Sequence, residues 1–292
     1  MTQHTLADYL SIIRRVLPQL DGQEAVINQA GQNNVVLMVD EQFIFRFPRY
    51  QDGLDRLRSE VHLLKVIAPH VTLPIPNPRY LNLSAPIGEA FMGYPMLEGQ
   101  TINIYSLESQ FDDVTCERLA KQLADFLQSL HRVPLSALGT QTIASEGYAY
   151  WARMYEQIQQ HLFHQMRPDA RGDVQALFEN YLQTETSFQP TIIHGDFGTG
   201  NLLFDTQKQA FSGVIDFGFA TVGDPAIDLS AIHGFNRRGK VFFERMMRYY
   251  PELDAMRPRI EFYSGTFALQ EALHGALNND EEALQAGLEP YR

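Results

Sequence analysis

Three polar side chains, Asp196, Asn201 and Asp216, have the types and the spacing that phosphoryl transfer requires. Asp196 and Asn201 share one loop, spaced as H-x-D-x-x-x-x-N, and this loop follows the apolar run 191–193. Asp216 comes at the end of a second apolar run, 211–215. A phosphotransferase needs a carboxylate that accepts or orients the proton of a hydroxyl, and two oxygen ligands that hold Mg²⁺ against nucleotide phosphates. These residues therefore predict a nucleotide-dependent phosphotransferase.

Turn chemistry is the competing interpretation, because Asp and Asn are also common in the turns between strands. A D-x-x-x-x-N spacing by itself would favour that interpretation. Here the loop begins with H-G-D, apolar runs flank it, and an I-D-F-G segment follows downstream. Gly195, Gly198 and Gly200 make a tight loop sterically easy. The combination favours a catalytic loop over a set of polar turns.

The two loops also resemble those of a known family. HGDFGTGN at 194–201 and VIDFG at 214–218 are similar to the catalytic and metal-binding loops of the aminoglycoside phosphotransferases, relatives of the choline kinases and the eukaryotic protein kinases. GDPAIDLS at 223–230 matches a further segment that is common in that family. The loops are nearest to those of the enzymes that act on the 2″ hydroxyl, and the resemblance extends weakly over nearly the whole chain.

This resemblance implies a role for each matching residue. Asp196 would be the catalytic base, while Asn201 and Asp216 would be the Mg²⁺ ligands. Further residues of the matching segments would cap a helix or support the loop: His194, Asp224 and Asp228.

The chain changes character near residue 98, which predicts two lobes. Short β-rich runs and one helix at 52–68 come first, and amphipathic helical patterns dominate afterwards, interrupted by a β-rich island at 191–216. Together with the resemblance, this pattern predicts an α+β, two-lobed protein-kinase-like fold. A small β-rich N-terminal nucleotide-binding lobe would span 1–97, with a hinge at about 92–99, and a mainly helical C-terminal lobe would span 98–292. Ligands would bind in the cleft between the lobes.

A kinase of this fold needs a cation on the third strand to hold the nucleotide phosphates, and a helix carboxylate to hold that cation. Arg46 occupies the strand position and Glu60 lies in the following helix, so we predict that they pair. Protein kinases and many antibiotic kinases carry Lys there. Arg keeps the charge and can bind phosphate through two donors, but its planar group is bulkier. The alternatives to Arg46 are Arg49, Arg56 and Arg58.

Two short segments are predicted to contact the nucleotide. The turn at 31–34 resembles the loop that covers the nucleotide, although it lacks G-x-G-x-x-G, and its candidate residues are Gly31, Asn33 and Asn34. The connector at 92–99 resembles the hinge that binds a purine through its backbone. Pro95 offers a carbonyl but no N–H, whereas Leu97 offers both, which suits an acceptor–donor pair for adenine. Both ATP and GTP remain open as the donor.

The acceptor is the least specified partner. Acidic and aromatic residues late in the chain predict a cleft for a cationic aminocyclitol, with Glu244, Tyr263 and Glu271 as candidates. The same residues would also suit an ordinary amphipathic helix whose carboxylates are solvated. Phe219 follows the D-F-G triplet, where the 2″ enzymes often carry an acidic residue, and this aromatic favours a less charged or more apolar acceptor.

Composition argues against several other classes of function. The formal charge of −12 argues against nucleic acid as a partner, because phosphate backbones select basic surfaces. No segment has the roughly 20 apolar residues that a membrane helix needs, and the N-terminal segment predicts an amphipathic helix rather than a signal peptide. The single Cys116 excludes an intramolecular disulfide. We predict a cytoplasmic protein with no membrane partner.

Three functions are compatible with the sequence. The first is a kinase that transfers the γ-phosphate of ATP or GTP to a hydroxyl of an aminoglycoside-type antibiotic, which would be a resistance function. The second is a kinase of the same fold that acts on a macrolide, a sugar or an amino-alcohol metabolite. The third is a nucleotide-binding module without catalysis, which the presence of the base and both metal ligands disfavours.

Overall fold

The chain divides into two units in the computed structural model, which describes residues 4–18, 20, 24–28, 34–139, 148–184, 188–234 and 239–292. The first unit comprises 1–101 and 201–220, and the second comprises 102–200 and 221–292. Strands dominate the first unit and helices dominate the second, as the predicted α+β class requires.

A five-stranded antiparallel sheet with the order β1-β2-β3-β5-β4 forms the body of the first unit. Its strands are β1 Ala25–Asn28, β2 Asn34–Val39, β3 Phe43–Pro48, β4 Tyr80–Leu81 and β5 Met92–Pro95. Asp40 and Glu41 join β2 to β3 with φ angles of 51° and 50°, the positive values that tight hairpin turns use. Arg46 pairs with Val36 on one side and Met92 on the other, so it lies on the central strand.

Two helices accompany this sheet. α1 Leu6–Val16 starts with a capping box between Thr5 and Asp8, in which each side chain accepts a backbone N–H of the other residue. The apolar face of α1 joins strand side chains in one core: Tyr9, Ile12, Ile13, Leu37, Phe45 and Phe47. α2 Gln51–Ile67 confirms the helix predicted at 52–68 to within one residue, and its otherwise apolar buried face includes the charged Glu60.

A three-stranded sheet with the order β6-β8-β9 completes the first unit. Its strands are β6 Gln100–Thr101, β8 Leu202–Asp205 and β9 Ala210–Val214. Leu202 pairs with Val214, so the residue before β8 and the residues after β9 emerge at the same end of this hairpin. The sequence predicted a strand reaching Asp216. The strand ends at Val214 because Asp216 is in the left-handed region, with φ 61°.

The second unit consists mainly of helices. They are α3 Leu107–Gln110, α4 Asp113–His131, α5 Tyr148–His161, α6 Pro168–Gln183, α7 Ala226–His233, α8 Lys240–Met247, α9 Leu253–Asn278 and α10 Glu281–Leu288. Two short strands, β7 Thr191–Ile193 and β10 Thr221–Gly223, pair antiparallel within it. Within the described ranges, every helix is too short or too polar to cross a membrane.

Two of these helices begin earlier than their apolar periodicity predicts. The first buried residue of α4 is Cys116, but Asp112 accepts a hydrogen bond from the Thr115 N–H and starts the helix three residues before that position. The first buried residue of α6 is Ala170, but the helix begins at Pro168, whose fixed φ favours the first turn, where no N–H is needed. Polar caps therefore set both boundaries, ahead of the first buried residues.

Candidate active site

The predicted base, Asp196, is exposed between two buried neighbours. His194 is fully buried, and the backbone N–H of Asp196 donates to its Nδ1 at 3.2 Å. Phe197 is also buried and stacks on Phe126 of α4, with ring centroids 5.7 Å apart. Because the flanking residues are anchored in the core, the loop presents the Asp196 side chain outward. His194 braces the loop, as its resemblance implied.

A buried carboxylate, Asp228 of α7, holds the backbone of this loop. Its Oδ2 accepts the His194 N–H at 2.8 Å and its Oδ1 accepts the Gly195 N–H at 2.8 Å. Asp228 is fully buried, so these N–H donors replace the hydrogen bonds that water would make to its carboxylate. The predicted role of Asp228 in loop support is confirmed.

His131 is the second partner of Asp228, and the sequence reasoning did not select it. Its Nε2 lies 3.0 Å from Asp228 Oδ2, and its Nδ1 lies 3.0 Å from the Tyr250 hydroxyl. A tautomer that donates through Nε2 and accepts from the Tyr250 hydroxyl at Nδ1 satisfies both contacts. The available signal was a titratable residue placed on the buried face of an otherwise apolar helix, next to Leu127 and Leu130.

Asp224, the other acidic residue of the GDPAIDLS segment, supports the start of α7. It accepts the Ala226 N–H at 3.0 Å, which places a carboxylate at the helix N-terminus as predicted. It also accepts from Arg259 Nε at 2.6 Å and from the Tyr263 hydroxyl at 3.0 Å. Asp224 therefore joins α7 to α9.

The first unit contains an ion-pair cluster of three groups. Arg46 Nη1 donates to Glu60 Oε1 at 2.5 Å, so the predicted pair is present. Arg46 Nη2 donates to Asp216 Oδ1 at 3.1 Å. The same guanidinium therefore joins a helix carboxylate to the carboxylate that was predicted to bind metal. The side chains of Arg46 and Glu60 are 8% and 2% exposed, whereas that of Asp216 is 49% exposed.

Burial and charge act in opposite directions inside this cluster. Burial disfavours the Arg46 cation, but the charges of Glu60 and Asp216 outweigh that effect and keep the pKa of the guanidinium above its ordinary value. Burial also raises the pKa of the Glu60 carboxyl, although Arg46 opposes the rise. The Phe217 N–H donates a further hydrogen bond to Glu60. Arg46 thus stays charged, with its neighbours' carboxylates holding it in place.

Gly218 leaves the space that this arrangement needs. A Cβ atom at position 218 would lie 3.3 Å from Asp216 Oδ1, 3.4 Å from Arg46 Nη2 and 3.8 Å from Glu60 Oε2. The backbone therefore passes close to all three charged groups, and only the approach to Asp216 Oδ1 is tighter than an ordinary van der Waals contact.

The two predicted metal ligands lie at one end of the β8–β9 hairpin. Asn201 precedes β8 directly, and its backbone oxygen accepts the Ile215 N–H at 2.9 Å, one residue before Asp216. A carboxamide and a half-exposed carboxylate held this way suit Mg²⁺, which keeps several waters and takes further oxygens from phosphates. Among the described residues, there is no group of three or more His, Cys, Asp and Glu side chains able to form an all-protein metal site.

A cavity of about 250 Å³ lies beside the Arg46 cluster. Its lining includes Arg46, Asp216, Arg56 and Asn34, and the Oδ1 atom of Asn34 is buried with no hydrogen-bond partner among the described atoms. Buried polar atoms are nearly always paired, so an unpaired acceptor beside a cavity favours ligand binding there. The other predicted residues of this turn, Gly31 and Asn33, lie outside the described residues.

The rival arginines of the Arg46 prediction have other contacts. Arg56 lies over the Phe219 ring, 5.9 Å from its centroid. Arg58 donates to the Leu83 carbonyl and to Asp55 on the surface. Arg46 is therefore the arginine that the fold pairs with Glu60.

The predicted hinge residues follow the end of β5. Pro95 pairs with Phe43 in the sheet, and the Met96 N–H donates to the Gln42 carbonyl at 2.7 Å. In the described part of the chain, no backbone hydrogen bond engages the Leu97 N–H. Leu97 and Pro95 therefore remain candidates for purine binding.

The predicted acceptor residues are dispersed over α8 and α9. Glu244 bonds Arg257 at 3.0 Å, and this hydrogen bond lowers the pKa of its carboxyl. Tyr263 is 2% exposed and donates to Asp224, so its hydroxyl is engaged in the interior. Glu271 is exposed on α9. Glu244 and Tyr263 are thus engaged with other residues of the protein, and the acceptor role of the three side chains stays a prediction.

Comparison with known proteins agrees with this geometry. The sequence model of the phosphotransferase enzyme family (APH) matches residues 24–259. The chain is 38% identical over 104 residues to viomycin phosphotransferase of Streptomyces vinaceus, an alignment that covers 35% of this chain and 36% of that protein. The alignment thus spans about a third of the curated relative.

Two solved structures show the fold. The GDP and kanamycin complex of APH(2″)-IIIa superposes with a TM-score of 0.87 at 24% identity, covering 97% of this chain and 96% of that chain. A macrolide 2′-phosphotransferase of type I superposes with a TM-score of 0.69 at 21% identity, covering 100% and 99%. Both confirm the predicted protein-kinase-like fold, and the family match extends over most of the sequence. The chain belongs to the phosphotransferase enzyme family.

Proposed function

We propose that this chain is a Mg²⁺-dependent kinase that transfers the γ-phosphoryl group of ATP or GTP to a hydroxyl of an antibiotic. The observation that carries the proposal is the Arg46 cluster, because it joins a phosphate-binding cation to the carboxylate of Asp216 beside a cavity. Its predicted counterpart, Asp196, is exposed on a loop whose backbone is fixed by buried groups.

Each residue has a distinct task in the proposed reaction. Asp196 accepts a hydrogen bond from the acceptor hydroxyl and takes its proton as the oxygen attacks. Arg46 donates to the nucleotide phosphates, with Glu60 holding its planar group in place. Asn201 and Asp216 would hold Mg²⁺, which neutralises charge on the phosphates when bound. The new bond joins the acceptor oxygen to the γ-phosphorus, and the bond to the bridging oxygen of the leaving nucleoside diphosphate breaks.

An aminoglycoside is the first acceptor class to test. The loops resemble those of the 2″ enzymes, and the structurally similar APH(2″)-IIIa was solved with kanamycin and GDP. The relative from Streptomyces vinaceus is named for another antibiotic, viomycin. These names support an antibiotic acceptor, and the GDP complexes support testing GTP beside ATP.

A macrolide is the second candidate, favoured by a specific observation. Phe219 is 51% exposed and lies beside the small cavity, under the Arg56 guanidinium. An exposed aromatic at this position offers apolar surface where an ammonium-binding carboxylate would suit an aminoglycoside. The macrolide phosphotransferase fold neighbour is compatible with this acceptor.

A nucleotide-consumption screen tests the proposal. Purified protein is incubated with Mg²⁺ and either ATP or GTP, and nucleoside diphosphate is measured with kanamycin, erythromycin, viomycin or simple sugars present. Stimulation by at least one antibiotic, and its loss on chelation of Mg²⁺, is the expected result. Nucleotide hydrolysis that no acceptor stimulates would contradict an antibiotic kinase.

A further inference from the structure

A second arginine, Arg56 of α2, lies beside the Arg46 cluster without belonging to it. It lines the same cavity of about 250 Å³, and so do three other residues of α2: Gly53, Leu57 and Glu60. The four occupy positions i, i+3, i+4 and i+7 of the helix, so they share one face. The helix face that brings Glu60 to Arg46 therefore also brings a second cation to the cavity.

The positive charge of Arg46 is already matched within its own cluster. Its Nη1 donates to Glu60, and its Nη2 donates to Asp216 at 3.1 Å. One guanidinium thus faces two carboxylates, and the three groups carry one positive and two negative formal charges. A chain of phosphate groups is itself anionic, so it would meet no net positive charge from this cluster alone.

Arg56 has a charge that no acidic residue matches. In the part of the chain that the structure describes, its guanidinium has no hydrogen bond and no ion pair, and its contact is with the Phe219 ring. The Arg56 side chain is also exposed. Arg58, two positions further along α2, is engaged instead, because it donates to the Leu83 carbonyl at 2.6 Å and to Asp55 at 2.9 Å.

Phe219 contacts Arg56 in a way that leaves its N–H donors available. The guanidinium carbon lies 5.9 Å from the ring centroid, and an aromatic ring attracts a cation without supplying a carboxylate or carbonyl acceptor. A carboxylate within reach of Arg56 would instead accept its hydrogen bonds and cancel its charge. An aromatic residue at position 219 therefore keeps Arg56 beside the cavity as a cation that can still bind an anion.

The position of Arg56 relative to Asp216 indicates which part of a nucleotide it would meet. Both residues line the cavity, and Phe219 follows Asp216 by three residues. In kinases, the metal ion that such a carboxylate holds bridges the β- and γ-phosphates. A cation on the same cavity is therefore placed for the terminal end of the phosphate chain.

We propose that Arg56 is a further phosphate-binding residue, which donates to the terminal phosphate of a nucleoside triphosphate, and that Phe219 is its positioning residue. This inference rests on the proposed function for the identity of the ligand. A nucleoside diphosphate lacks the group that Arg56 binds. Arg56 therefore increases the preference of the protein for the phosphoryl donor over the spent nucleotide.

Nucleotide titrations test the role of Arg56. Wild type and Arg56→Gln are titrated by calorimetry, in the presence of Mg²⁺, with non-hydrolysable analogues of ATP and GTP and with ADP and GDP. Loss of a charge-assisted hydrogen bond at an exposed site should weaken triphosphate binding by about 5- to 20-fold and diphosphate binding by less than about 2-fold. Arg56→Lys, which keeps the charge, should restore part of the loss. Equal effects on the two nucleotide classes, no effect on either, or no triphosphate binding by wild type overturns the proposal.

Arg58→Gln is the matched control on the same helix. It removes the same charge from an exposed position of α2, but Arg58 does not line the cavity. Triphosphate affinity should change by less than about 2-fold in this variant. A loss as large as that of Arg56→Gln would mean that the net charge of α2 matters rather than a contact from Arg56. Melting temperatures confirm that each variant is folded, and that of Arg56→Gln should match wild type because Arg56 is exposed and makes no ion pair.

A double-mutant cycle tests the positioning role of Phe219. Phe219→Leu removes the ring, and it should weaken triphosphate binding by about 2- to 5-fold, the value of an exposed cation–π contact. In the Arg56→Gln background, the same substitution should change the affinity by less than about 1.5-fold, because the ring would have no cation to hold. An equal effect of Phe219→Leu in both backgrounds would contradict the positioning role.

Binding and turnover together separate this inference from the proposed function. If triphosphate binding depends on Arg56 as described and no acceptor stimulates nucleotide consumption, the proposed kinase activity fails while the assignment of Arg56 stands. If wild type phosphorylates an acceptor and Arg56→Gln binds the triphosphate analogues as tightly as wild type, the assignment fails while the kinase activity stands.

Discussion

Two buried charge clusters differ in how completely their hydrogen bonds are satisfied. In the second unit, Asp228 is enclosed and accepts from His131 and two backbone N–H groups. In the first unit, Arg46 links the enclosed Glu60 to Asp216, whose side chain is half-exposed. We call the Asp228–His131 group the closed cluster, because its hydrogen bonds are made within the protein. The Arg46–Glu60–Asp216 group is the open cluster, because the Asp216 carboxylate faces solvent. Under the proposed function, the closed cluster would hold the catalytic loop in place, and the open cluster would contact the nucleotide and its metal ion.

The largest effect on activity is expected from substitution of Asp196, the exposed residue on the loop that Asp228 holds. Asp196→Asn should lower turnover by about 10²–10⁴-fold, because a positioned acid–base group contributes that much. Nucleotide affinity and melting temperature should change little, since this side chain is on the surface. Steady-state kinetics measures the loss of turnover, and a nucleotide-binding titration measures the affinity. Full turnover in this variant would remove Asp196 from the reaction.

Opening the closed cluster should cost stability. Asp228→Ala removes the acceptor of the His131, His194 and Gly195 donors, and we expect the free energy of unfolding to fall by about 3–5 kcal/mol. Urea unfolding measures the loss. Asp125→Ala is the control, because Asp125 forms a surface pair with Lys121 and should contribute less than about 1 kcal/mol. Equal losses in the two variants would contradict the distinction between clusters.

Alkaline pH should weaken the first unit through a buried phenol beside the open cluster. Burial raises the pKa of Tyr94 from 10.0 to about 12. A raised folded pKa means that the stabilisation is complete below pH 10 and is lost as pH rises from about 10 to about 12, by about 3 kcal/mol. In Tyr94→Phe, the free energy of unfolding should no longer show this fall between about pH 10 and about pH 12. An identical pH dependence in wild type and variant would contradict the burial of the phenol.

The open cluster should lose ligand affinity rather than stability. Asp216→Ala removes a half-exposed carboxylate, so Mg²⁺-dependent nucleotide affinity should fall by about 10- to 100-fold with little change in melting temperature. Titration calorimetry with a non-hydrolysable nucleotide, with and without Mg²⁺, measures the effect. Affinity that stays the same in both conditions would show that Asp216 does not bind the metal.

The candidate residues of the loop stand out in the sequence because their signal is local. His194, Asp196 and Asn201 lie within eight consecutive residues, 194–201, and the chemistry needs their types at that spacing. The pairing of Arg46 with Glu60 could also be predicted, since a strand position and the following helix fix it. Such features need few assumptions about distant packing.

The remaining features depend on contacts between segments far apart in the sequence. His131 and Asp228 meet across 97 positions, and nothing near His131 in the sequence indicates its partner. A second cavity, of about 640 Å³, lies between α6, α9 and the turn Glu289–Tyr291, which no motif connects. This cavity therefore depends on tertiary packing and not on a sequence motif.

Product analysis tests the central claim most directly. Purified protein is incubated with Mg²⁺, ATP or GTP, and erythromycin, kanamycin or viomycin, and the acceptor is then examined by mass spectrometry. The account predicts a mass gain of one phosphoryl group on at least one acceptor, in an amount equal to the nucleotide consumed, and none with Asp196→Asn. An unmodified acceptor in every combination, or equal product from Asp196→Asn, would contradict phosphoryl transfer centred on Asp196.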